Sequence, residues 1–224
     1  ARSSYFGIID LAGQPKDVYY MYQSEWTEKP VLHLFPHWNW LDGQEIDLWC
    51  YYNNADEVEL FINGKSQGTR TKSLTSHLSP LSSQFSVLSS QFHVSWRVTF
   101  EPGEVKAVAR KDGKTVNEQV IRTAGQPDHI QLSIDYAGRE LTFVQAVVVD
   151  KDGNRCPWAE NELFFEADGA EVIATDNGCQ TSMERFTAPH RKAFFGRCIA
   201  VARGKGTVRA KAIGLKPAAL VISY

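Results

Sequence analysis

Asp56–Thr69, which reads Asp-Glu-Val-Glu-Leu-Phe-Ile-Asn-Gly-Lys-Ser-Gln-Gly-Thr, decides the fold of the chain. Apolar side chains recur at every second position of its first half, as in a half-buried strand: Val58, Leu60 and Ile62. Asn63-Gly64 then supplies the two central residues of a tight turn, where both adopt positive φ. Lys65–Arg70 returns as the partner strand. The stretch therefore predicts a β-hairpin of an antiparallel β-sandwich.

The overall composition is ordinary for a globular protein. Of the 224 residues, 43% are hydrophobic and 22% are charged, which allows one or two domains with buried cores. Twenty-four basic residues stand against 26 acidic ones, and this net charge of -2 indicates neither a nucleic-acid nor a membrane partner. The chain starts with Ala1 and shows no signal-peptide pattern, so we expect a part of a larger protein.

The four cysteines are widely spaced and form no Cys-x-x-Cys pair, which disfavours a zinc site or a redox motif. Cys50 and Cys198 lie inside apolar strand patterns, where a thiol usually behaves as a small buried hydrophobe. Free thiols are the favoured interpretation. Cys156 with Cys179 is the one pair that could form a disulfide.

Residues 1–28 differ from the rest of the chain because they predict a helix. Pro15 suits a first helical position, and Asp17 in the first turn faces the positive end of the helix dipole. Val18, Tyr22 and Trp26 follow at spacings of four and form one apolar face. A single short helix ahead of strands needs a partner for that face, so we expect it to be the last helix of a preceding domain.

From residue 31 the pattern becomes all-β, in two clusters separated by the linker Ala124-Gly125-Gln126-Pro127. Each cluster predicts about seven strands, which is what a β-sandwich needs. The predicted strands are Val31–Phe35, Glu45–Tyr51, Glu57–Ile62, Lys65–Arg70, Phe92–Phe100, Glu104–Arg110 and Thr115–Ile121, then Ile130–Ile134, Leu141–Asp150, Glu162–Ala167, Ala170–Asp176, Ala193–Arg203, Thr207–Ile213 and Ala218–Ser223.

The serine-rich stretch Ser73–Ser90 contains an unusual feature. The sequence Leu-Ser-Ser-Gln-Phe occurs twice in close succession, from Leu81 and again from Leu88. Two short copies cannot stack a repeat core, so the duplication predicts an expanded surface loop.

No catalytic group is predicted within the chain. Glu57 with Glu59, and Glu160 with Glu162, stand two apart on strands, about 7 Å from each other and without a cleft between them. A retaining glycosidase instead needs two carboxyls about 5–5.5 Å apart across a cleft. Asp150–Asn154 resembles a calcium loop but lacks its bidentate Glu, so a turn is favoured. The six histidines show no metal-binding pair, and neither a metal nor another cofactor is expected.

The most suggestive cluster is His37-Trp38-Asn39-Trp40. In one interpretation the two indoles stack on a sugar while His37 and Asn39 bond its hydroxyls, which makes these four residues the candidate substrate-binding site. In the other, the cluster is a packed corner whose indole N–H groups are satisfied locally. Packing is favoured. Asp176-Asn177-Gly178 and Arg185-Phe186 are weaker candidates for glycan contact.

Several segments together resemble the family 2 glycoside hydrolases of the β-galactosidase kind. The hairpin Val58–Gly68, with Phe92–Val98, Glu101–Glu104 and Arg122–Gly125, resembles the immunoglobulin-like domain that follows the catalytic barrel in that family. Other segments resemble the end of that barrel, the entry to the next domain and the terminal sandwich: Ser3–Asp17, Tyr19–Trp26, Leu34–Trp40, Thr175–Gly178 and Arg191–Cys198.

The resemblance implies two tandem immunoglobulin-like β-sandwiches, 29–124 and 125–224, after the tail of a (β/α)8 barrel in 1–28. Both catalytic glutamates of the family lie on earlier barrel strands, so the chain alone is expected to be inactive. Its parent would be a retaining exo-glycosidase, periplasmic or secreted by family analogy. The first hypothesis is an accessory part that supports its own barrel, the active-site rim or oligomer contacts of the parent. The second is a carbohydrate-binding module that takes a galactoside or another glycan through Trp38 and Trp40.

Overall fold

The computed structural model describes residues 6–72 and 92–223, so the predicted loop Ser73–Ser90 lies outside the described residues. The chain divides into two compact units. The first unit is Pro15–Thr123. The second unit combines Ala124–Tyr224 with Ala1–Gln14, and in it residues 6–14 and 124–223 are described. Among the described helices, none has the length and apolar character needed to cross a membrane.

The described residues of the first unit form one helix and seven antiparallel strands in two sheets. One sheet has the strand order β1-β2-β5 and the other has the order β4-β3-β6-β7. The elements are α1 (Asp17–Trp26), β1 (Leu32–Phe35), β2 (Glu45–Tyr52), β3 (Glu57–Ile62), β4 (Lys65–Arg70), β5 (Val94–Thr99), β6 (Glu104–Lys111) and β7 (Lys114–Arg122).

The two sheets bury their facing sides in one core. Leu48 and Trp96 come from the three-stranded sheet, and Leu60 and Val105 come from the four-stranded one. Every second residue of β3 is buried, as the alternation predicts. Full burial of a leucine or valine side chain stabilises a fold by about 1.5–3 kcal/mol. In its described residues the unit is an immunoglobulin-like sandwich of seven strands, which confirms the predicted all-β fold class.

The predicted hairpin is present with the predicted turn chemistry. Asn63 and Gly64 both have positive φ, of 48° and 79°, between the paired ends of β3 and β4. The Asn63 side chain also reaches the next turn, where its Oδ1 accepts from the Glu104 backbone N–H (2.8 Å). A Cβ atom at Gly103 would collide with that Asn63 side chain. The turn of the hairpin is therefore held both by the pairing of β3 with β4 and by its contact with the β5–β6 turn.

The second unit is built on one extended antiparallel sheet with the order β11-β10-β12-β9-β8, to which β13 adds on β12. Its strands are β8 (His129–Ala137), β9 (Leu141–Val149), β10 (Glu162–Asp176), β11 (His190–Lys192), β12 (Arg197–Lys211) and β13 (Ala218–Ile222).

Two strands of this unit are longer than the sequence predicts. β10 and β12 each run for 15 residues, where the sequence pattern predicts two short strands in each place. A register shift separates Asp168 from Ala170, and at Gly206 a side chain would collide with the Asp168 carbonyl. Gly169 and Gly206 lie where the sequence pattern predicts turns between short strands. They are instead parts of a β-bulge, which bends a strand without ending it.

The bend lets the same two strands serve both layers of the second sandwich. Before it, β12 pairs with β9 through Arg197–Arg203, and after it β12 pairs with β13 from Gly206 to Ala210. A single core lies between the layers, with buried residues from five strands: Ile130, Val144, Leu163, Phe165, Ala200, Val208 and Ile222.

Helix α1 confirms the predicted helix with a shifted start. It begins at Asp17, two residues after Pro15, and it ends at Trp26. Asp17 lies in the first turn as predicted, where a carboxylate favours the helix dipole. At the other end the Thr27 hydroxyl donates to the Gln23 carbonyl (2.8 Å).

Candidate functional site

Trp38 lies in the core of the first unit with none of its surface exposed. Its indole N–H donates to the Glu101 carbonyl oxygen (3.0 Å), and its ring meets Phe100 nearly edge-on, with centroids 5.0 Å apart. A buried indole presents no face on which a sugar could stack. Packing and a local hydrogen bond therefore account for this tryptophan.

The other three residues of the corner bond largely to one another. The Trp40 indole N–H donates to the His37 carbonyl (2.8 Å), and the two rings stack with centroids 4.5 Å apart. The Asn39 backbone N–H donates to His37 Nδ1 (3.3 Å). Trp40 is half-buried against the core of the first unit, so sugar contact at this corner stays a prediction that depends on Trp40 alone.

Helix α1 packs on the β-sandwich of the first unit through its inner side. Asp17 Oδ1 lies 2.8 Å from His33 Nε2, and the Tyr20 ring stacks on the His33 ring with centroids 3.8 Å apart. Further along, Lys72 Nζ lies 2.5 Å from Glu25 Oε1. These contacts fix the helix at both of its ends.

The opposite side of the helix carries the apolar face that the sequence predicts. Val18 and Tyr22 are half-buried, whereas the Trp26 side chain is 76% exposed. The Tyr22 and Trp26 rings touch, with centroids 4.5 Å apart. Among the described residues this side thus ends in an open aromatic surface.

A second aromatic surface covers the outer face of the β1-β2-β5 sheet, and the sequence analysis missed it. Phe35 and Trp49 are register partners on neighbouring strands, and Trp49 stacks on His93 with centroids 4.0 Å apart. Burial, with a smaller contribution from Lys72, lowers the pKa of His93. The apolar run Trp49–Tyr52 at the end of β2 could have predicted this surface. A strand that is covered on both faces does not alternate apolar with polar residues.

The carboxylate pairs of the sequence do not form a catalytic pair. Glu59 accepts from the Ser66 hydroxyl (2.6 Å) and lies 2.7 Å from Arg110 Nη1. The Ser66 hydrogen bond, helped by Arg110 and opposed by burial, lowers the pKa of Glu59. A general acid needs a raised pKa, so this environment suits a structural ion pair. Glu160 and Glu162 are both exposed, and only Glu162 lies on a strand, at the start of β10.

In the second unit a buried arginine organises the loop between β10 and β11. Arg191 is 1% exposed, and its guanidinium donates to the carbonyls of Thr175 (2.6 Å) and Arg185 (3.0 Å). Asn177 in the same loop donates its side-chain amide to the Lys192 carbonyl (2.8 Å). The Asp176 carboxylate accepts from the backbone N–H groups that follow it. Asp176–Gly178, a weaker glycan candidate, therefore acts mainly as internal scaffolding.

Asp150 forms the turn that the sequence favoured over a calcium loop. The carboxylate is buried, and it accepts backbone N–H groups of Gly125, Asp152 and Asn154 at 2.8–2.9 Å. Burial alone would raise its pKa, but these hydrogen bonds outweigh burial and lower the pKa to about 2. The Gly125 contact ties the linker between the sandwiches to this turn.

Glu162, Glu184 and His190 bring possible metal-ligand atoms within 4.8 Å of one another. His190 Nδ1 lies 2.9 Å from Glu162 Oε1. Glu184 accepts from the Lys192 backbone N–H (3.0 Å) and from the Ser182 hydroxyl (2.9 Å). These internal contacts account for the arrangement, and we assign no metal to it.

All four cysteines are free thiols in the structure, as the sequence analysis favoured. Cys50, Cys156 and Cys198 are buried, and Cys179 is partly exposed. Burial, with a smaller effect of Asp150, raises the pKa of Cys156 to about 11. A thiol with so high a pKa is an unreactive nucleophile at neutral pH.

Two neighbouring turns of the second unit present aromatic side chains to solvent. Trp158 is 59% exposed in the first turn, and Phe194 and Phe195 are 37% and 44% exposed in the second. Phe195 has a φ of 50°, a left-handed conformation that costs a bulky residue about 1–3 kcal/mol. We call these three residues the aromatic row. The sequence analysis missed the row because only the tertiary structure leaves these rings exposed.

Comparison with known proteins places these features in a family. Residues 43–117 match a domain of unknown function (DUF4982), and residues 124–221 match glycoside hydrolase family 2 C-terminal domain 5. Among curated proteins, the β-galactosidase BoGH2A of Bacteroides ovatus is 53% identical over the whole chain. A putative β-glucuronidase of Formosa agariphila is 34% identical over 85% of the chain.

The fold is also similar to that of a solved enzyme. The crystal structure of a β-glycosidase from Bacteroides vulgatus matches 98% of this chain with a TM-score of 0.85 and 32% identity. The chain spans only 28% of that structure, 26% of the B. ovatus protein and 18% of the F. agariphila protein. It therefore corresponds to a minor part of each relative.

Proposed function

The chain belongs to the family 2 glycoside hydrolases and corresponds to their C-terminal region, and on that premise we propose that it is a non-catalytic support for the catalytic barrel of a β-galactosidase-like enzyme. The parent enzyme would be a retaining glycosidase whose two catalytic carboxylates lie outside this chain. In the described residues, Glu59 lies 2.7 Å from Arg110 and Glu162 lies 2.9 Å from His190, whereas Glu57 is half-buried on β3 and Glu160 is exposed just before β10.

One observation carries the proposal, namely that helix α1 has two different sides. Its inner side is fixed to the sandwich by the Asp17–His33 pair and the Tyr20–His33 stack. Its outer side leaves Trp26 76% exposed beside Tyr22. One side of the helix is anchored to the sandwich, and the other side exposes aromatic rings. Such a helix suits a position between two domains. In our proposal the second body is the barrel, of which α1 is the closing helix.

The test compares this chain with the longer protein that includes the catalytic barrel. We expect hydrogen exchange at Tyr22–Trp26 to slow in the longer protein, because a new surface covers the Trp26 ring. Burying that ring contributes about 2–3 kcal/mol, so Trp26→Ala should destabilise the longer protein by about that amount more than it destabilises this chain. Leu41→Ala is the matched control, since Leu41 is 78% exposed on the same unit.

Equal exchange at Tyr22–Trp26 in both proteins, or equal effects of Trp26→Ala in both, would contradict the proposal. The chain alone is expected to hydrolyse no chromogenic galactoside, whereas the longer protein should do so. The alternative, glycan binding through Trp38 and Trp40, is less favoured because Trp38 is fully buried.

A further inference from the structure

Residues 6–14, which precede helix α1, belong to the same compact unit as the second sandwich, and we call them the entry segment. Gln14 at its end is only 8% exposed, and its Oε1 accepts from Gln145 Nε2 on β9 (2.7 Å). Arg197 Nη1 on β12 donates to the same oxygen (3.4 Å). Because an arginine has donors only, this contact fixes which way the Gln14 amide faces. A buried side chain therefore joins the entry segment to two strands of the sheet.

The entry segment also has a fixed local shape. Asp10 Oδ1 accepts from the backbone N–H groups of Ala12 and Gln14, at 2.9 Å each, which closes a turn. The Asp10 carboxylate lies so close to the end of β10 that a side chain at Gly178 would collide with it. Because β10, β12 and β9 are neighbours in the sheet, the segment reaches three adjacent strands. Its place on the second sandwich is set at both Asp10 and Gln14.

Only Pro15 and Lys16 separate the entry segment from helix α1. We rest the next step on the proposed function, in which α1 is the closing helix of the catalytic barrel. In a (β/α)8 barrel, the stretch that leads from a strand into the following helix is a βα-loop, and the βα-loops build the active-site face. The entry segment is then the last βα-loop of the barrel. A domain that packs on this loop lies at the active-site face.

The two sides of the entry segment differ in polarity. Asp10 and Gln14 are directed to the second sandwich by the contacts described above. Three apolar side chains of the segment are exposed instead: Phe6 is 91%, Ile9 49% and Leu11 41% exposed. Apolar groups of this size suit the centre of a contact between two domains. The barrel is the occupant that fits this side, because the entry segment continues into it and most of each relative lies outside this chain.

We propose that the second sandwich docks on the active-site face of the parent enzyme's catalytic barrel, through the entry segment, and borders the substrate-binding rim there. Gln145 and Arg197 are positioning residues in this arrangement, because they act through Gln14 and do not touch the substrate. The β10–β11 loop starts beside Asp10 and is organised by the buried Arg191. It is the part of the second sandwich that the Asp10 contact brings to the rim.

The test uses the longer protein that includes the barrel, with variants on the sandwich side of the contact. Gln145→Ala and Arg197→Ala each remove a hydrogen bond to Gln14 and leave the sequence of the entry segment unchanged. With an aryl β-galactoside as substrate, we expect each variant to raise KM at least fivefold and to change kcat less than twofold. The rim shifts in these variants, whereas the catalytic carboxylates keep their positions in the barrel. Arg203→Ala is the matched control, because Arg203 lies on the same strand and pairs with Glu171 at the surface.

The proposal is supported if KM rises in both variants while their near-ultraviolet circular dichroism and the kinetics of Arg203→Ala match the wild type. Unchanged KM values in both variants overturn it, and so does an equal rise in Arg203→Ala. Hydrogen exchange separates it from the proposed function, since we expect residues 6–11 to exchange more slowly in the longer protein than in this chain. Slower exchange at Tyr22–Trp26 without slower exchange at 6–11 would leave the role of α1 intact and overturn the docking of the second sandwich.

Discussion

Asp17 and His33 hold helix α1 on the first sandwich, with Oδ1 of one 2.8 Å from Nε2 of the other. His33 makes two kinds of contact, a hydrogen bond to Asp17 and ring packing. The His33 ring also stacks on Tyr20, and it lies 5.3 Å from the Phe35 ring. One imidazole thus links the helix by a hydrogen bond and by ring packing at the same time.

His33→Ala should therefore destabilise the first unit more than Asp17→Asn does. The Asp17 carboxylate is largely exposed, so its contact with His33 contributes only about 0–1 kcal/mol. Loss of the ring stack adds about 0.5–1.5 kcal/mol, and urea unfolding followed by tryptophan fluorescence measures both effects. Equal destabilisation by the two variants would show that the stack contributes nothing.

The Asp150 turn should make the stability of the second unit fall at low pH. The pKa of Asp150 is about 2 in the folded chain, against about 3.9 in an unfolded one. Since the folded value is the lower one, the stabilisation of about 2.6 kcal/mol is complete above about pH 5 and is lost as the pH falls through 2. Unfolding free energies of wild type and Asp150→Asn, measured from pH 7 to pH 2, should converge at the acid end. A constant difference would contradict the assignment.

Gly103→Ala should destabilise the first unit through its contact with Asn63. Gly103 has a φ of 136°, and an added Cβ would collide with the Asn63 side chain. A cost of about 1–3 kcal/mol is expected from strain and collision together. Asn63→Ala removes part of the obstacle, so the double variant should be less destabilised than the sum of the two single ones. Simple additivity in thermal unfolding would place the strain elsewhere.

Arg191→Lys should destabilise the second unit although it keeps the charge. An ammonium cannot reproduce the planar donor pattern that satisfies the Thr175 and Arg185 carbonyls. Charge-assisted hydrogen bonds contribute about 1.5–3 kcal/mol each, so a loss of about 2 kcal/mol is expected in urea unfolding. Arg203→Lys is the control, because Arg203 pairs with Glu171 at the exposed surface and should change stability by less than about 0.5 kcal/mol.

Local chemistry explains what the sequence could predict. The Asn63-Gly64 turn was predictable because positive φ restricts which residues fit there, and the alternation along β3 shows its buried side directly. The helix was predictable from its spacing and its first-turn aspartate. Its start was displaced by two residues, since a proline tolerated at a first helical position does not require a helix there.

Tertiary packing explains what the sequence could not predict. Gly169 and Gly206 are equally suitable for a turn or for a bulge, so the continuity of β10 and β12 was not visible. Trp38 and Trp158 are the same residue type, yet one is fully buried and the other is 59% exposed. The surrounding tertiary structure decides between these outcomes, and the local sequence pattern does not show it.

The continuity of β10 and β12 determines how the second unit can come apart. Each strand crosses the bend and contributes to both layers, so the layers share two backbones as well as one core. Loss of one layer therefore frays the β10–β12 pairing that also holds the other layer. The second sandwich should therefore unfold cooperatively as one block, with protection from hydrogen exchange nearly uniform along its two long strands.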